Sequence, residues 1–225
     1  MGAPNFHPGM SGLIPPEVLL HAYATGIFPM ADNGEIGWYR PKRRGLLPLD
    51  DRFHIPHGLR RALRRNPFAL RWNTAFGDVM EGCADRPETW IDPIIHTSYR
   101  KLHHLGFAHS VECWDGDGLQ GGLYGVSLGG AFFGESMFSR KTDASKIALV
   151  ELVRHLRAAG FVLLDTQWTT SHLKQFGAYE MAAPRYEEIL TKALRITPAL
   201  PFPSLPEGSR PGGGSSAAFR SRKNP

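Results

Sequence analysis

The stretch FVLLDTQW, residues 161 to 168, closes an apolar run by placing Asp165 and Gln167 two positions apart. On a strand that spacing turns both side chains to the same face. Such a pair raises the question of a shared task; the bland answer is a strand end at which polarity simply returns. A second acid, Glu135, stands in GESMFSR, residues 134 to 140, among Phe132, Phe133, Met137 and Phe138. A carboxylate in such company is either ion-paired for structure or carries a perturbed pKa and a chemical task. Glycines at 121, 122, 125, 129, 130 and 134 weaken the same stretch as a strand, which points to a bulge or to a ligand close to the backbone. Glu135, Asp165 and Gln167 together predict a pocket with apolar walls and three convergent polar groups, the profile of a small-ligand site.

The elements that must position these residues belong to a chain of 225 residues, 42% hydrophobic and 21% charged, which is ordinary for a globular enzyme of one large or two small domains. No apolar run approaches the roughly 20 residues of a membrane span, and MGAPNFHPGMSG has neither a charged nor an apolar leader region, so a cytoplasmic protein without a membrane partner is expected. Phe6 also stands where a myristoylation motif needs Ser or Thr. Cys83 and Cys113 are far apart with no CxxC partner, which predicts buried thiols and neither a zinc site nor a disulfide framework.

Charge is concentrated. Net charge is +5, yet residues 40 to 71 hold ten arginines and lysines against Asp50 and Asp51, a local +8, leaving the remainder slightly acidic. Such segregation favours a polyanionic partner, above all nucleic acid. Within this segment PHGLRRALRRN, residues 56 to 66, reads as a helix with Leu59 and Leu63 facing inward. Arg60, Arg61, Arg64 and Arg65 then form one basic flank, more than a merely solvated face requires.

Further helices are expected over residues 15 to 28, stopped by Gly26, over 92 to 106, and over 143 to 160 with Asp143 as N-cap and Gly160 as stop. Period-two segments AHSVECW and LQGGLYGVSLGGAFFGESMF predict strands around the turn DGDG. The apolar strand at 161, the short helix SHLKQFG and AYEMA follow. The fold class is thus α+β, and this order resembles the second half of a GCN5-related acetyltransferase fold. SRKTDASK stands where a coenzyme A enzyme carries its Gly-rich pyrophosphate loop, so an acyl donor other than acetyl-CoA is implied. Three regions are expected: residues 1–65 as a small N-terminal domain with the basic helix, 66–198 as the acetyltransferase-like catalytic domain, and 199–225, rich in Pro, Gly and Ser, as a disordered tail.

AYATGIFPM, TWI at 89 to 91, HSVECW, GGLYGVSLGGAFFGESMFSRKTDASK and LLDTQWTTSHLKQFGA together resemble the leucyl/phenylalanyl-tRNA–protein transferases of bacteria over about residues 15 to 190. The resemblance implies transfer of Leu or Phe, less readily Met, from aminoacyl-tRNA to proteins with N-terminal Arg or Lys, marking them for degradation by the N-degron pathway. It implies no cofactor, no metal and a monomer. The aminoacyl ester is already activated, so positioning an amine against a carbonyl is the task. By resemblance Asp165 orients the Gln167 carboxamide, whose oxygen accepts from the amine, and Glu135 lies beside the cationic acceptor residue. Leu123, Phe132, Leu149, Leu152 and Leu164 match the pocket for the donor side chain, although the sequence alone favours plain core for them. Tyr23 and Ser139 join the implied substrate-binding set. Trp90 matches a residue stacking near the terminal adenosine, a contact worth about 1 to 3 kcal/mol per base. Arg60, Arg61, Arg64 and Arg65 match the acceptor-stem cluster, with His57 where a further Arg can occur.

Two departures stand out: Met30 replaces a frequent Trp in GIFPW, and the segment before the first helix is short. Two rivals stay open. One is a protein that captures aminoacyl-tRNA without turnover, which leaves Glu135, Asp165 and Gln167 idle; the other is an acyltransferase acting on a cell-wall precursor.

Overall fold

The computed structural model of the chain describes residues 12–32 and 35–203. Nine strands are present among them: β1 (Phe28–Asp32), β2 (Glu35–Tyr39), β3 (Arg43–Leu47), β4 (Ala69–Trp72), β5 (Ala108–Asp115), β6 (Gly118–Leu128), β7 (Ala131–Ser139), β8 (Leu163–Gln167) and β9 (Tyr179–Ala182). The helices are α1 (Pro16–Ala24), α2 (His57–Arg65), α3 (Phe76–Ala84), α4 (Pro93–His104), α5 (Ala144–Ala158), α6 (Ser171–Lys174) and α7 (Ala183–Ala193). β1 and β2 pair with each other, and the remaining seven form one mixed sheet in the order β4-β5-β6-β7-β8-β3-β9. Every neighbouring pair in that sheet is antiparallel except β7 and β8.

Alternation along the central strands gives each face its own core. Leu123, Phe132 and Leu164 pack with α5 and α2, whereas Tyr124, Val126 and Phe133 pack with Leu19 and Tyr23 of α1, Phe76 and Val79 of α3, Tyr99 of α4 and Tyr186 of α7. At about 1.5 to 3 kcal/mol per fully buried large apolar side chain, these two layers hold the sheet between helices. The glycines of β6 serve that packing. A Cβ at Gly125 meets the Phe133 carbonyl oxygen at 2.3 Å, so the close approach expected there is of neighbouring strand; at Gly134 of β7, which lines the cavity, a Cβ meets only the Asp165 carbonyl oxygen at an ordinary 3.6 Å.

The expected strands around 115 to 118 and the helices at 15, 56, 92 and 143 are present. Asp143, however, adopts φ 66° and makes no capping bond; its carboxylate holds Lys146 at 2.9 Å. Ser139 does the capping, its Oγ accepting from the Ser145 N–H at 2.8 Å. The expected domain boundary at residue 65 cuts across the sheet, because β3 lies between β8 and β9 and α2 packs on α5. Residues 199–203 differ from the expected tail: Phe202 contacts the rings of Trp72, His109, Phe132, His155 and Phe161, and the Ala199 N–H bonds the Ala159 carbonyl at 2.9 Å. The rest of that tail, 204–225, lies outside the described residues, as do residues 1–11. No helix among the described residues is long and apolar enough to cross a membrane.

Candidate active site

The parallel pair opens the site. β7 and β8 pair from Ala131 and Leu163 to Phe133 and Asp165, and the ladder then stops although both strands continue. Glu135 and Gln167 stand just past that point, one on each strand. A cavity of about 500 Å³ begins there, at the carboxyl ends of the parallel strands, where open sheets commonly bind ligands.

Behind the cavity, Arg44 and Asp165 form a fully buried ion pair. Arg44 Nε donates to both Asp165 oxygens at 2.9 and 2.8 Å, Nη2 approaches Oδ2 at 2.7 Å, and Nη1 donates to the Gly26 carbonyl at 2.9 Å. Its guanidinium lies 4.7 Å from the Phe28 ring and 4.8 Å from the Tyr186 ring. The Tyr186 hydroxyl donates to Asp165 Oδ2 at 2.6 Å. Asp165 meets Gln167 at the backbone, accepting its N–H at 2.8 Å, and not at the carboxamide as expected. That bond holds Gln167 at φ 57°, a left-handed conformation that normally costs a side-chain-bearing residue about 1 kcal/mol or more. The two side chains therefore diverge: Asp165 turns into the protein, Gln167 toward the cavity. Gly45 completes the turn, since a Cβ there meets the Trp168 carbonyl carbon at 2.4 Å.

The Gln167 carboxamide is oriented by Glu135. Its Nε2 donates to Glu135 Oε1 at 3.0 Å, where the Tyr23 hydroxyl also donates at 2.7 Å. The Tyr99 hydroxyl bonds that of Tyr23 and lies 3.4 Å from Glu135 Oε2. With its NH2 end so engaged, Gln167 presents its Oε1 outward. Burial, opposed by the Tyr23 hydrogen bond and reinforced by the Asp165 charge, pushes the Glu135 carboxyl up to about 8. It is mostly protonated at neutral pH.

Of the expected site residues, Trp90, Leu123, Leu149, Leu152, Leu164, Glu135 and Gln167 line the cavity. Asp165, Tyr23, Phe132 and Ser139 do not. Tyr23 acts through Glu135, Phe132 is core, and Ser139 caps α5. Met30, in place of the frequent Trp, lines the cavity with Phe28 and with Trp168, which is 44% exposed. Sequence reasoning missed Arg44, Tyr186, Arg86 and His172. Arg86 lines the cavity as Trp90 does, its Nη2 donating to Ser136 Oγ at 2.6 Å. Arg44 was counted with the RNA-facing charge, and no local signal marks it as buried.

The basic segment divides accordingly. Arg40 pairs with Glu187, Arg43 with Glu180, Arg44 with Asp165 and Arg52 with Asp50. On α2, Leu59 and Ala62 are buried, and among the described residues Arg61, Arg64 and Arg65 have no acidic partner while Arg60 donates to the Ile55 carbonyl. Four exposed arginines on one helix thus remain available to anions.

Residues 46–191 match the family model described as leucyl/phenylalanyl-tRNA protein transferase, and residues 12–42 match the model of that family's N-terminal domain. A leucyl/phenylalanyl-tRNA–protein transferase of Akkermansia muciniphila is 63% identical over 190 residues, covering 82% of this chain and 98% of that one. A protein of the same name from Salinibacter ruber is 55% identical over 185 residues, 81% of each chain. Among solved structures, that of L-PGS from Bacillus licheniformis aligns with a TM-score of 0.44 at 11% identity, over 79% of this chain and 70% of that one.

Proposed function

Since the chain belongs to the leucyl/phenylalanyl-tRNA protein transferase family, a family of aminoacyltransferases, we propose that it moves Leu or Phe, and less readily Met, from aminoacyl-tRNA to the N-terminal Arg or Lys of proteins, marking them for degradation by the N-degron pathway in the cytoplasm. The observation that carries this reading is the Glu135 and Gln167 pair set against an apolar cavity. Leu123, Leu149, Leu152 and Leu164 take the donor side chain, Trp90 stacks on the terminal adenosine, and Arg60, Arg61, Arg64 and Arg65 contact the acceptor-stem phosphates. The order of strands and helices from β5 onward supports an acetyltransferase-like fold for this catalytic part.

The acceptor arrives as an α-ammonium of ordinary pKa about 7.7 to 8.0. Gln167 Oε1 accepts one N–H and aims the nitrogen. Binding of the cationic acceptor residue first draws the proton off the raised Glu135 carboxyl, and the carboxylate so formed then takes a proton from the ammonium. The nitrogen attacks the ester carbonyl carbon, the C–N bond forms, and the bond to the ribose oxygen breaks as that oxygen leaves with the second proton. Asp165 and Arg44 stay behind the reacting groups and hold the Gln167 backbone. Incubation with labelled Leu-tRNA and a peptide beginning with Arg tests the reading. Labelled peptide is expected; tRNA binding without transfer supports the capture protein instead.

A further inference from the structure

A second concavity, of about 410 Å³, is lined by Phe53, Ile55, Arg60, Leu63, Arg64 and Arg154. Its arginines come from two helices that pack together, Arg60 and Arg64 from α2 and Arg154 from α5. Its apolar residues are half-buried, and the Phe53 ring is braced by stacking on Phe176 with 5.7 Å between centroids. Little negative charge offsets the three cations. Arg154 has an acid only at Glu151, 3.9 Å away, and its own side chain is 59% exposed, a geometry that contributes little. The acids of the loop before α2 are already engaged, Asp50 by Arg52 and Asp51 by Arg157. Arg60 is held over the concavity by its Nε, which donates to the Ile55 carbonyl at 2.9 Å, and among the described residues both its NH2 groups stay unengaged. Gathering three guanidiniums in this way costs self-repulsion, which a polyanion relieves.

We propose that this concavity seats a stretch of the tRNA backbone and that Arg154 holds one of its phosphates alongside Arg60 and Arg64. This rests on the transfer reading above and carries its RNA-binding surface from α2 onto α5. The lining fits a nucleic-acid strand better than a free anion. Arg60 and Arg64 stand one helical turn apart, with about 5 to 6 Å between Cβ atoms at that spacing, so they address successive phosphates rather than a single one. Guanidinium groups grip phosphate oxygens through paired N–H donors, and the ribose faces between the phosphates rest on Phe53, Ile55 and Leu63. A small inorganic anion uses the cations alone and leaves that apolar floor wet. α5 gives the contact a mechanical role as well. Leu149 and Leu152 of the same helix line the reaction cavity, and Arg154 follows Leu152 by two residues, about 3 Å of axial rise. A phosphate held by Arg154 is thereby fixed relative to the wall of the donor pocket through one rigid element.

Leu-tRNA binding at a series of salt concentrations tests this, with Arg154→Gln, Arg154→Lys and Arg157→Gln set against the parent. Arg157 is the control, on the same helix but paired with Asp51 at 2.9 Å. Arg154→Gln is expected to lower the slope of log affinity against log salt by about 0.7 to 0.9, so that between about 50 and 200 mM salt its affinity falls about threefold less than the parent's. The effect is equal for Leu- and Phe-tRNA, because a phosphate contact carries no information about the amino acid. Arg154→Lys keeps the slope, and Arg157→Gln leaves it within about 0.2 of the parent's. Transfer from leucyl-adenosine, a donor without a stem, is expected to be the same in the parent and in Arg154→Gln; if that variant melts lower than the parent, Arg154→Ala replaces it. An unaltered protein that neither binds Leu-tRNA nor transfers from it defeats the transfer reading and this inference with it. A parent that binds and transfers while Arg154→Gln keeps the full salt slope overturns the inference alone. So does an equal effect of Arg157→Gln, which makes the net charge of α5 responsible, or an equal slowing on leucyl-adenosine, which makes Arg154 a support of the fold.

Discussion

Under the proposed function, Glu135 should couple acceptor binding to pH. Its carboxyl is raised to about 8, mainly by burial, so at pH 7 about a tenth of the empty sites carry the anion. A cationic N-terminal residue prefers that anion, and binding must draw a proton out at a cost of about 1.4 kcal/mol at pH 7. The linked part of the association constant should therefore rise about ninefold from pH 6 to 7, about fivefold from 7 to 8, and under twofold above that. The acceptor's own α-amino group titrates in the same range. Dividing the parent's profile by that of Glu135→Gln removes this common factor. Isothermal titration with an Arg-initiated peptide, in two buffers of different ionisation enthalpy, should show close to one proton released per peptide at pH 7 in the parent and markedly fewer in the variant. Superimposable profiles, or equal proton release, would refute the assignment of the raised carboxyl to acceptor binding.

Replacing Arg44 with Met should lower stability by about 3 to 5 kcal/mol in urea unfolding, because Asp165 is left buried and unpaired. Asp165→Ala should do much the same, so its activity loss reflects folding, whereas Gln167→Ala should keep its melting point and lose at least about tenfold in turnover, or about 1.4 kcal/mol of barrier. Glu135→Gln should stabilise the fold as pH rises: a folded pKa above the unfolded one makes the native carboxyl increasingly unfavourable between about 4.5 and 8, and denaturation at pH 5 and 8.5 shows whether the gain grows. Changing Arg60, Arg61, Arg64 and Arg65 together to Gln should flatten the slope of log tRNA affinity against log salt by roughly 3, equally for Leu- and Phe-tRNA. Phe202→Ala should lower stability by about 2 kcal/mol, which chemical unfolding can register.

What was legible in the sequence follows from how local each signal is. α2 and α5 announce themselves by apolar spacing, and β6 and β7 by alternation around a Gly turn. α3 and α7 left readable traces that went unused: Phe76, Val79, Met80 and Cys83, and then Tyr186, Leu190 and Ala193 behind a Pro start. β3 is different. RGLL is too short to declare a strand, and its partners lie more than a hundred residues away. The same distance hid Arg44, whose ion-pair partner Asp165 and stacking partner Tyr186 are both remote in sequence. Two-residue spacing drew attention to Asp165 and Gln167 but assumed a regular strand; the positive φ at Gln167 sends the side chains apart.

The insertion of β3 between β8 and β9 also sets an order on folding. A strand made from residues 43–47 has to wait for residues 163–182 before either of its edges is covered. Closing a loop of that length is slow, and during synthesis the apolar edge of Leu46 and Leu47 stays unpaired after much of the sheet has been made. The guanidinium that holds Gly26 and Asp165 together can do so only once Asp165 has emerged, so the turn at Gln167 is braced late in synthesis. An emerging chain therefore cannot hold Gln167 in position until residues 163–182 have joined β3.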